Sequence, residues 1–244
     1  MFPYKTPLKQ PPVLGDVMLR LCSVNYKTVN FNLPILPVNK YISSSCVIQQ
    51  NRVCKNGIEI FKNKNSSLHE FFISLYQYLQ IPYPKFYKMD NMSKLGWLAS
   101  AILLRDGYIQ GKYSAEQTGI VISNADSSLD TDLKYFETMN DLPSPALFVY
   151  TLPNIMIGEI SISNNFKGEN AFFIFDQFDA EFTEKYVSDL LDNKSMNACI
   201  CGWVNVLREE YKAALFLVEK GEGGVFPQFT KEYMEVICNG PVLL

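Results

Sequence analysis

One histidine, His69, and two tryptophans are all that this 244-residue sequence holds of those residue types. A lone histidine provides no pair for acid–base work and no histidine-rich metal site. Cysteine occurs at 22, 46, 54, 199, 201 and 238, in no dense regular framework. Reduced thiols are expected, and Cys199-x-Cys201, with no second pair at zinc spacing, reads as buried cysteine acting as a small hydrophobe. A basic excess is missing too. Lys and Arg number 22 against 25 Asp and Glu, a net charge of -3 with pI about 5.3, which argues against nucleic acid held by phosphate neutralisation. The most membrane-like uncharged stretch, Leu142 to Gly158, is broken by Pro143, Pro145 and Pro153. Lipid could not replace the donors those prolines remove, so no membrane span is expected there. Residues 1–12 lack the apolar core of a secretion signal, and a cytoplasmic location is the expectation.

With 48% hydrophobic and 19% charged residues, the chain suits one globular domain that buries roughly 70–75% of its unfolded surface. Residues 1–40 hold Pro3, Pro7, Pro11, Pro12, Pro34 and Pro37 without a sustained period, which predicts a proline-rich arm with one short strand over 17–24. Strands are predicted over 41–48 and 57–61. Leu68, Phe72, Leu75 and Leu79 share a helical face, and Ser67 with Glu70 makes a capping box, which predicts a helix over 67–80 with His69 facing solvent. A second helix is predicted over 93–105, ended by Asp106-Gly107.

Thr118 to Ser123 reads as a strand buried on both faces, followed by a helix over 129–139. Asp126, Asp130 and Asp132 lack the glycine and distal glutamate of a calcium loop, and serve better as first-turn carboxylates. Further on come a strand over 171–175, a helix over 181–191, and strands over 198–206 and 213–219 joined by a charged turn at 208–210. Gly221, Gly223 and Gly224 lead to Phe226-Pro227 rather than into a helix, which makes a turn and not a phosphate cradle. This alternation of helices with short buried strands predicts an α/β fold with a mixed sheet covered on its faces.

The run Ser144-Pro-Ala-Leu-Phe-Val-Tyr-Thr-Leu-Pro-Asn154, then Gly158, Ser161-Ile162 and Gly168, resembles the β-ketoacyl synthase family of the thiolase superfamily. The pattern is N-x3-G-x2-S-x6-G, with Glu169 where those enzymes usually carry proline. Tyr41 to Cys46 is similar to their opening strand, Met92 to Trp97 to the helix after their Arg-Met-Ser motif, Ala198 to Val204 to their Ala-Gly-Gly strand, and Ala213 to Glu219 to the strand closing their first half. The resemblance spans about 41–220 and implies a thiolase-like half-fold over 41–244. Ile155, Ile157, Ile160 and Ile162 alternate partly like a strand, whereas the resemblance implies a helix there, with Gly158 letting it pack closely on the sheet.

In this family a cysteine at a helix N-terminus holds the acyl chain and two histidines from the second half assist decarboxylation. The family spacing from Gly168 lands on Gln177, no cysteine lies between Cys54 and Cys199, and His69 stands alone. The resemblance therefore implies no catalytic residue, metal or cofactor, and is nearest to chain length factors, extending to short, half-length members found beside polyene and aryl polyene synthases. It implies pairing with a full-length ketosynthase in fatty acid or polyketide-type synthesis, with acyl carrier protein reached through the complex. Thr151, Asn154, Met156, Gly158, Phe173, Phe175 and Phe178 are the implied acyl-tunnel or interface residues, and strand 171–175 the implied shared edge. Half of such a unit should leave apolar surface for a partner, with Phe172, Phe173, Phe175, Phe178 and Phe182 as the residues in need of cover.

Two other readings stay open. One is a malonyl decarboxylase or hydrolase using Ser161, Asp176, Asp179 and Glu181, although Asp179 and Glu181 suit helix capping better. The other is a stand-alone acyl or carrier-protein binding module, for which the chain offers only scattered Lys55, Lys62, Lys64, Lys85 and Lys88. The sequence also leaves open whether residues 226–244 fold back or reach toward another subunit.

Overall fold

The computed structural model describes residues 39–105, 111–140, 142–193, 196–221 and 227–239. The predicted strand over 17–24, nearly all of the arm, the Asp106-Gly107 stop and Gly223-Gly224 lie outside them.

Ser67 and Glu70 close the capping box their spacing predicts, and start helix α1 (Leu68–Leu79) with Leu68, Phe72, Leu75 and Leu79 all buried. Helix α2 (Asn91–Leu103) begins two residues earlier than expected because the Asp90 carboxylate caps it, accepting from the Ser93 amide at 3.0 Å. Helices α3 (Leu129–Thr138), α4 (Pro145–Val149), α5 (Ile155–Asn164), α6 (Ala180–Asn193) and α7 (Lys231–Asn239) complete the seven among the described residues. The stretch with alternating isoleucines is helical, as the family resemblance implies. Ile157 and Ile160 are buried while Ile162 is exposed, so the four isoleucines do not share a face.

Seven strands form one mixed sheet in the order β3-β2-β1-β7-β6-β4-β5. They are β1 (Lys40–Gln49), β2 (Arg52–Lys55), β3 (Ile58–Lys62), β4 (Thr118–Asn124), β5 (Asn170–Ile174), β6 (Ala198–Leu207) and β7 (Glu210–Lys220). The sequence reading missed β2. It sits between two tight turns, Gln50-Asn51 and Asn56-Gly57, whose four residues all take left-handed φ values of 50–79°, the turn geometry that matches hairpin twist. The turn between β6 and β7 likewise holds Arg208 at φ 58°.

β4 pairs in parallel with β5 and β6, whereas β7 runs antiparallel to both β6 and β1. Alternation along the buried strands feeds two cores. Ile120, Ile122 and Ile200 enter one beneath α1, α2 and α5, while Val121, Cys199 and Cys201 enter the other beneath α6 and α7. The segment 227–239 folds back: Ile42 donates its amide to the Pro227 carbonyl and Phe229 to that of Lys40, each at 3.0 Å. Helix α7 then buries Met234 and Cys238 in the second core. Its Lys231 reaches Glu181 at 3.2 Å on α6, and the Lys231 amide reaches Glu184 at 2.7 Å.

The expected role of Gly158 is not found: a Cβ there would meet open space. The close approach belongs instead to Gly96 on α2, where a Cβ would lie 2.7 Å from Met156 Cγ on α5. Gly168 is equally constrained, since a Cβ would run into the backbone of Thr118.

Candidate functional site

Gln177, which the sequence resemblance sets at the nucleophile position of ketosynthases, stands exposed in the loop between β5 and α6. The loop is anchored at its start by the Phe175 amide, which donates to the Asn124 carbonyl at the end of β4 (2.9 Å). It is anchored at its end by Asp179, whose carboxylate accepts from the Phe182 amide at 2.8 Å and so caps α6. The other first-turn acid, Glu181, pairs with Lys185 at 2.5 Å. Its carboxyl lies below the usual range because of the hydrogen bonds from Lys185 and then Lys231. Gln177 thus precedes the cap by two residues and carries no group able to form a thioester.

The phenylalanines around this loop build a ring cluster. Phe173 meets Phe182 edge-on at 4.8 Å and Tyr186 at 5.0 Å, and Phe175 meets Phe182 at 4.9 Å. Phe178 stacks on Phe216 at 6.1 Å. Phe172 turns to the opposite face, against the first core. These rings are half-buried within the chain, part of each being covered by its neighbours and part left accessible.

Two other features also leave surface accessible. β5 is an edge strand. The bonds Ile120 amide to Glu169 carbonyl and Phe175 amide to Asn124 carbonyl set a phase in which odd-numbered residues face β4. Asn170, Phe172 and Ile174 turn their backbone groups to the open edge, and Ile174 is 55% exposed. The second feature was not anticipated. Helix α3 is inside out: Leu129, Leu133 and Phe136, at i, i+4 and i+7, face solvent, with Phe136 69% exposed, whereas Asp130 and Thr131 are buried. The apolar surface continues through Met139, Leu142, Phe148, Val149 and Leu152, and Tyr135 ties α3 to α4 by a ring contact with Phe148 at 5.6 Å.

Polar bonds hold α3 in this orientation. Asp130 accepts from Lys134 at 2.6 Å, Asn91 at 3.0 Å and the Arg208 amide at 2.9 Å, and Thr131 donates to Asp90 at 2.8 Å. Burial raises the Asp90 carboxyl above its ordinary value and lowers the neighbouring Lys94 ammonium. Ser128 donates to the Thr151 carbonyl at 2.6 Å, fixing the start of the 151–158 segment. Buried Glu159 accepts from Tyr150 at 3.1 Å and pairs with Lys85 at 2.8 Å. Burial first, and then Glu159, pushes the Tyr150 phenol up.

The candidates named from the sequence are therefore divided between the two faces. Met156 is fully enclosed under α2, Thr151 and Gly158 are half-buried, Asn154 is exposed ahead of α5, and Phe173 and Phe178 pack on the second core. The rival acid set does not converge either, because Ser161 lies on α5 and Glu181 on α6, across the sheet. Of the scattered lysines, Lys85 binds Glu159, Lys62 approaches Glu59 at 3.9 Å, and Lys55 donates to the Arg105 carbonyl. His69 is exposed, as expected. No group of metal-ligating side chains occurs among the described residues, and no helix among them is long and apolar enough to cross a membrane.

Solved structures share this architecture. The ishigamide ketosynthase/chain length factor aligns at TM-score 0.55 and 17% identity, over 78% of this chain and 64% of that one. The chain has a ketosynthase fold. A type II polyketide acyl carrier protein in complex with its ketosynthase aligns at 0.52 and 14% identity, over 75% and 62%. A β-ketoacyl synthase from Burkholderia phymatum STM815 aligns at 0.51 and 12%, over 76% and 60%. The chain thus spans about three-fifths of the length of the ketosynthase-fold chains it matches. No protein-family model and no curated protein matches the sequence. The expected α/β, thiolase-like fold is what these likenesses establish.

Proposed function

We propose that this chain is a non-catalytic subunit of chain-length-factor type that pairs with a full-length ketosynthase in fatty acid or polyketide-type chain building, with aryl polyene synthesis as the pathway the sequence resemblance favours. The observation that carries the reading is Gln177, an amide exposed just ahead of the Asp179-capped helix, at the position where the sequence resemblance puts the acyl-holding thiol. The named neighbours that are ketosynthase/chain length factor and ketosynthase–carrier complexes support it. So do the inside-out α3 and the open edge of β5, which are surfaces a lone subunit would not be expected to keep apolar or unpaired. In this reading β5 and the α3–α4 face meet the partner, and Thr151, Asn154, Phe173, Phe175 and Phe178 lie toward its acyl tunnel. The carrier protein reaches the complex through the ketosynthase, and no cofactor is needed.

The test is co-expression with full-length ketosynthases of the source organism, followed by size-exclusion chromatography with light scattering. A 1:1 heterodimer is expected. Two separately eluting proteins would overturn the reading.

A further inference from the structure

At the opposite end of β4 from the Gln177 loop lies a cavity of about 570 Å³ that the proposed function does not use. Its size falls within the range of small-molecule sites. Tyr83 and Trp97, stacked at 5.2 Å with nearly parallel rings, form part of its wall with Tyr113 and Phe166. Thr118, only 1% exposed, lines it with an Oγ1 that has no hydrogen-bond partner among the described residues, and the same holds for the Tyr83 hydroxyl. A buried orphan of this kind marks a place where a ligand or water supplies the missing bond.

The electrostatics come from the helices. α1, α2 and α5 all end at this cavity, where Leu79, Leu104 and Asn164 line it, and none of the three carries a basic residue in its last turn. Each helix end presents about half a negative charge through its carbonyls. No lysine or carboxylate lines the wall among the described residues. The one cation there, Arg105, holds its guanidinium 5.3 Å over Tyr78, a ring outside the wall.

We propose that this cavity binds a primary ammonium group carried on an aromatic or apolar body. The ammonium would donate to Thr118 Oγ1 and lie in the negative field of the three helix ends, while the Tyr83–Trp97 and Phe166 rings take the apolar body and add cation–π attraction. An anion of the same shape would face those helix ends, and Arg105 would have to leave the Tyr78 ring to meet it.

The experiment is an amide chemical-shift titration of the full chain with benzylammonium, benzoate and benzyl alcohol in parallel. Benzylammonium is expected to shift the amides of 97–105, 113–118 and 163–166 saturably, with roughly tenfold or greater preference over benzoate. Thr118→Val, which keeps the shape and removes the acceptor, should weaken benzylammonium several-fold and spare benzyl alcohol. Should that variant fail to fold, Ala101→Lys places a resident ammonium in the last turn of α2 and should abolish benzylammonium binding. Equal or tighter binding of benzoate, no saturable shift at these amides, or undiminished ammonium affinity in the folded variants would each overturn the proposal.

Discussion

Met156 on α5 closes directly over Gly96 on α2, so the two helices meet where a side chain is missing. The nearest neighbours of a Cβ at 96 are Sδ and Cγ of Met156, which is itself fully buried and unable to swing into solvent. Gly96→Ala should therefore destabilise the chain by about 1–3 kcal/mol in urea unfolding, despite a helix-propensity gain of up to about 1 kcal/mol. Adding Met156→Ala to Gly96→Ala should cost less than the two single effects summed, because the added methyl would then have room.

Gly158 and Gly168 make a contrasting pair. Gly158 lies inside α5 with open space around its Cα, so Gly158→Ala should stabilise the chain by about 0.5–1 kcal/mol. Gly168 abuts the Thr118 backbone, which cannot yield as a flexible side chain can. Gly168→Ala should lower stability by several-fold more than the Gly158 change raises it, measured by thermal unfolding of both variants side by side.

The five described cysteines, Cys46, Cys54, Cys199, Cys201 and Cys238, are buried and free, and burial pushes each thiol above its ordinary value. They should resist iodoacetamide in the native protein at about pH 8 and react on unfolding, read peptide by peptide in a mass spectrometer. The linked effect has a fixed sign. Thiols held protonated in the folded state ionise more easily once unfolded, so their stabilising contribution is whole below the ordinary thiol value near 8.5 and declines as pH rises through it.

Phe136, exposed on α3, and Ile174, on the open edge of β5, test the proposed pairing. Phe136→Asp should leave the isolated chain's stability within about 0.5 kcal/mol, since the residue is 69% exposed. The same change should weaken association with the ketosynthase by tenfold or more in a biosensor titration. Ile174→Lys should act in the same direction. Unchanged affinity in both variants would remove the proposed interface.

How much of this was legible in the sequence depended on whether the signal was local. The capping box at Ser67 and Glu70 and the apolar stripe behind it declare α1 within a few residues, and the uninterrupted apolar run of β4 declares a doubly buried strand. β2 escaped because four residues with charged ends carry little pattern, although Asn56-Gly57 is a hairpin signal that would have revealed it. In α5 the isoleucine spacing pointed toward a strand, and the motif around it, rather than its period, gave the helix.

The site was less legible. Leu129, Leu133 and Phe136 announce a helix with an apolar stripe, but not which way the stripe faces. That is decided by Asp130 and Thr131, whose partners Arg208 and Asp90 are distant in sequence. The phenylalanines near Gln177 carry no period that announces their contacts, and Phe173, Phe175 and Phe182 meet one another only once β5 and α6 are in place. The cavity at the foot of β4 has no sequence signature, because three separate helix ends and a buried threonine meet there only in the fold.

In the proposed reading Gln177 leaves this ketosynthase fold without a group that holds an acyl chain covalently. The most direct measurement is intact-mass spectrometry of both subunits after the co-expressed pair is incubated with an acyl-loaded carrier protein. One acyl addition is expected on the ketosynthase and none on this chain. An acyl group found on this chain would contradict that reading.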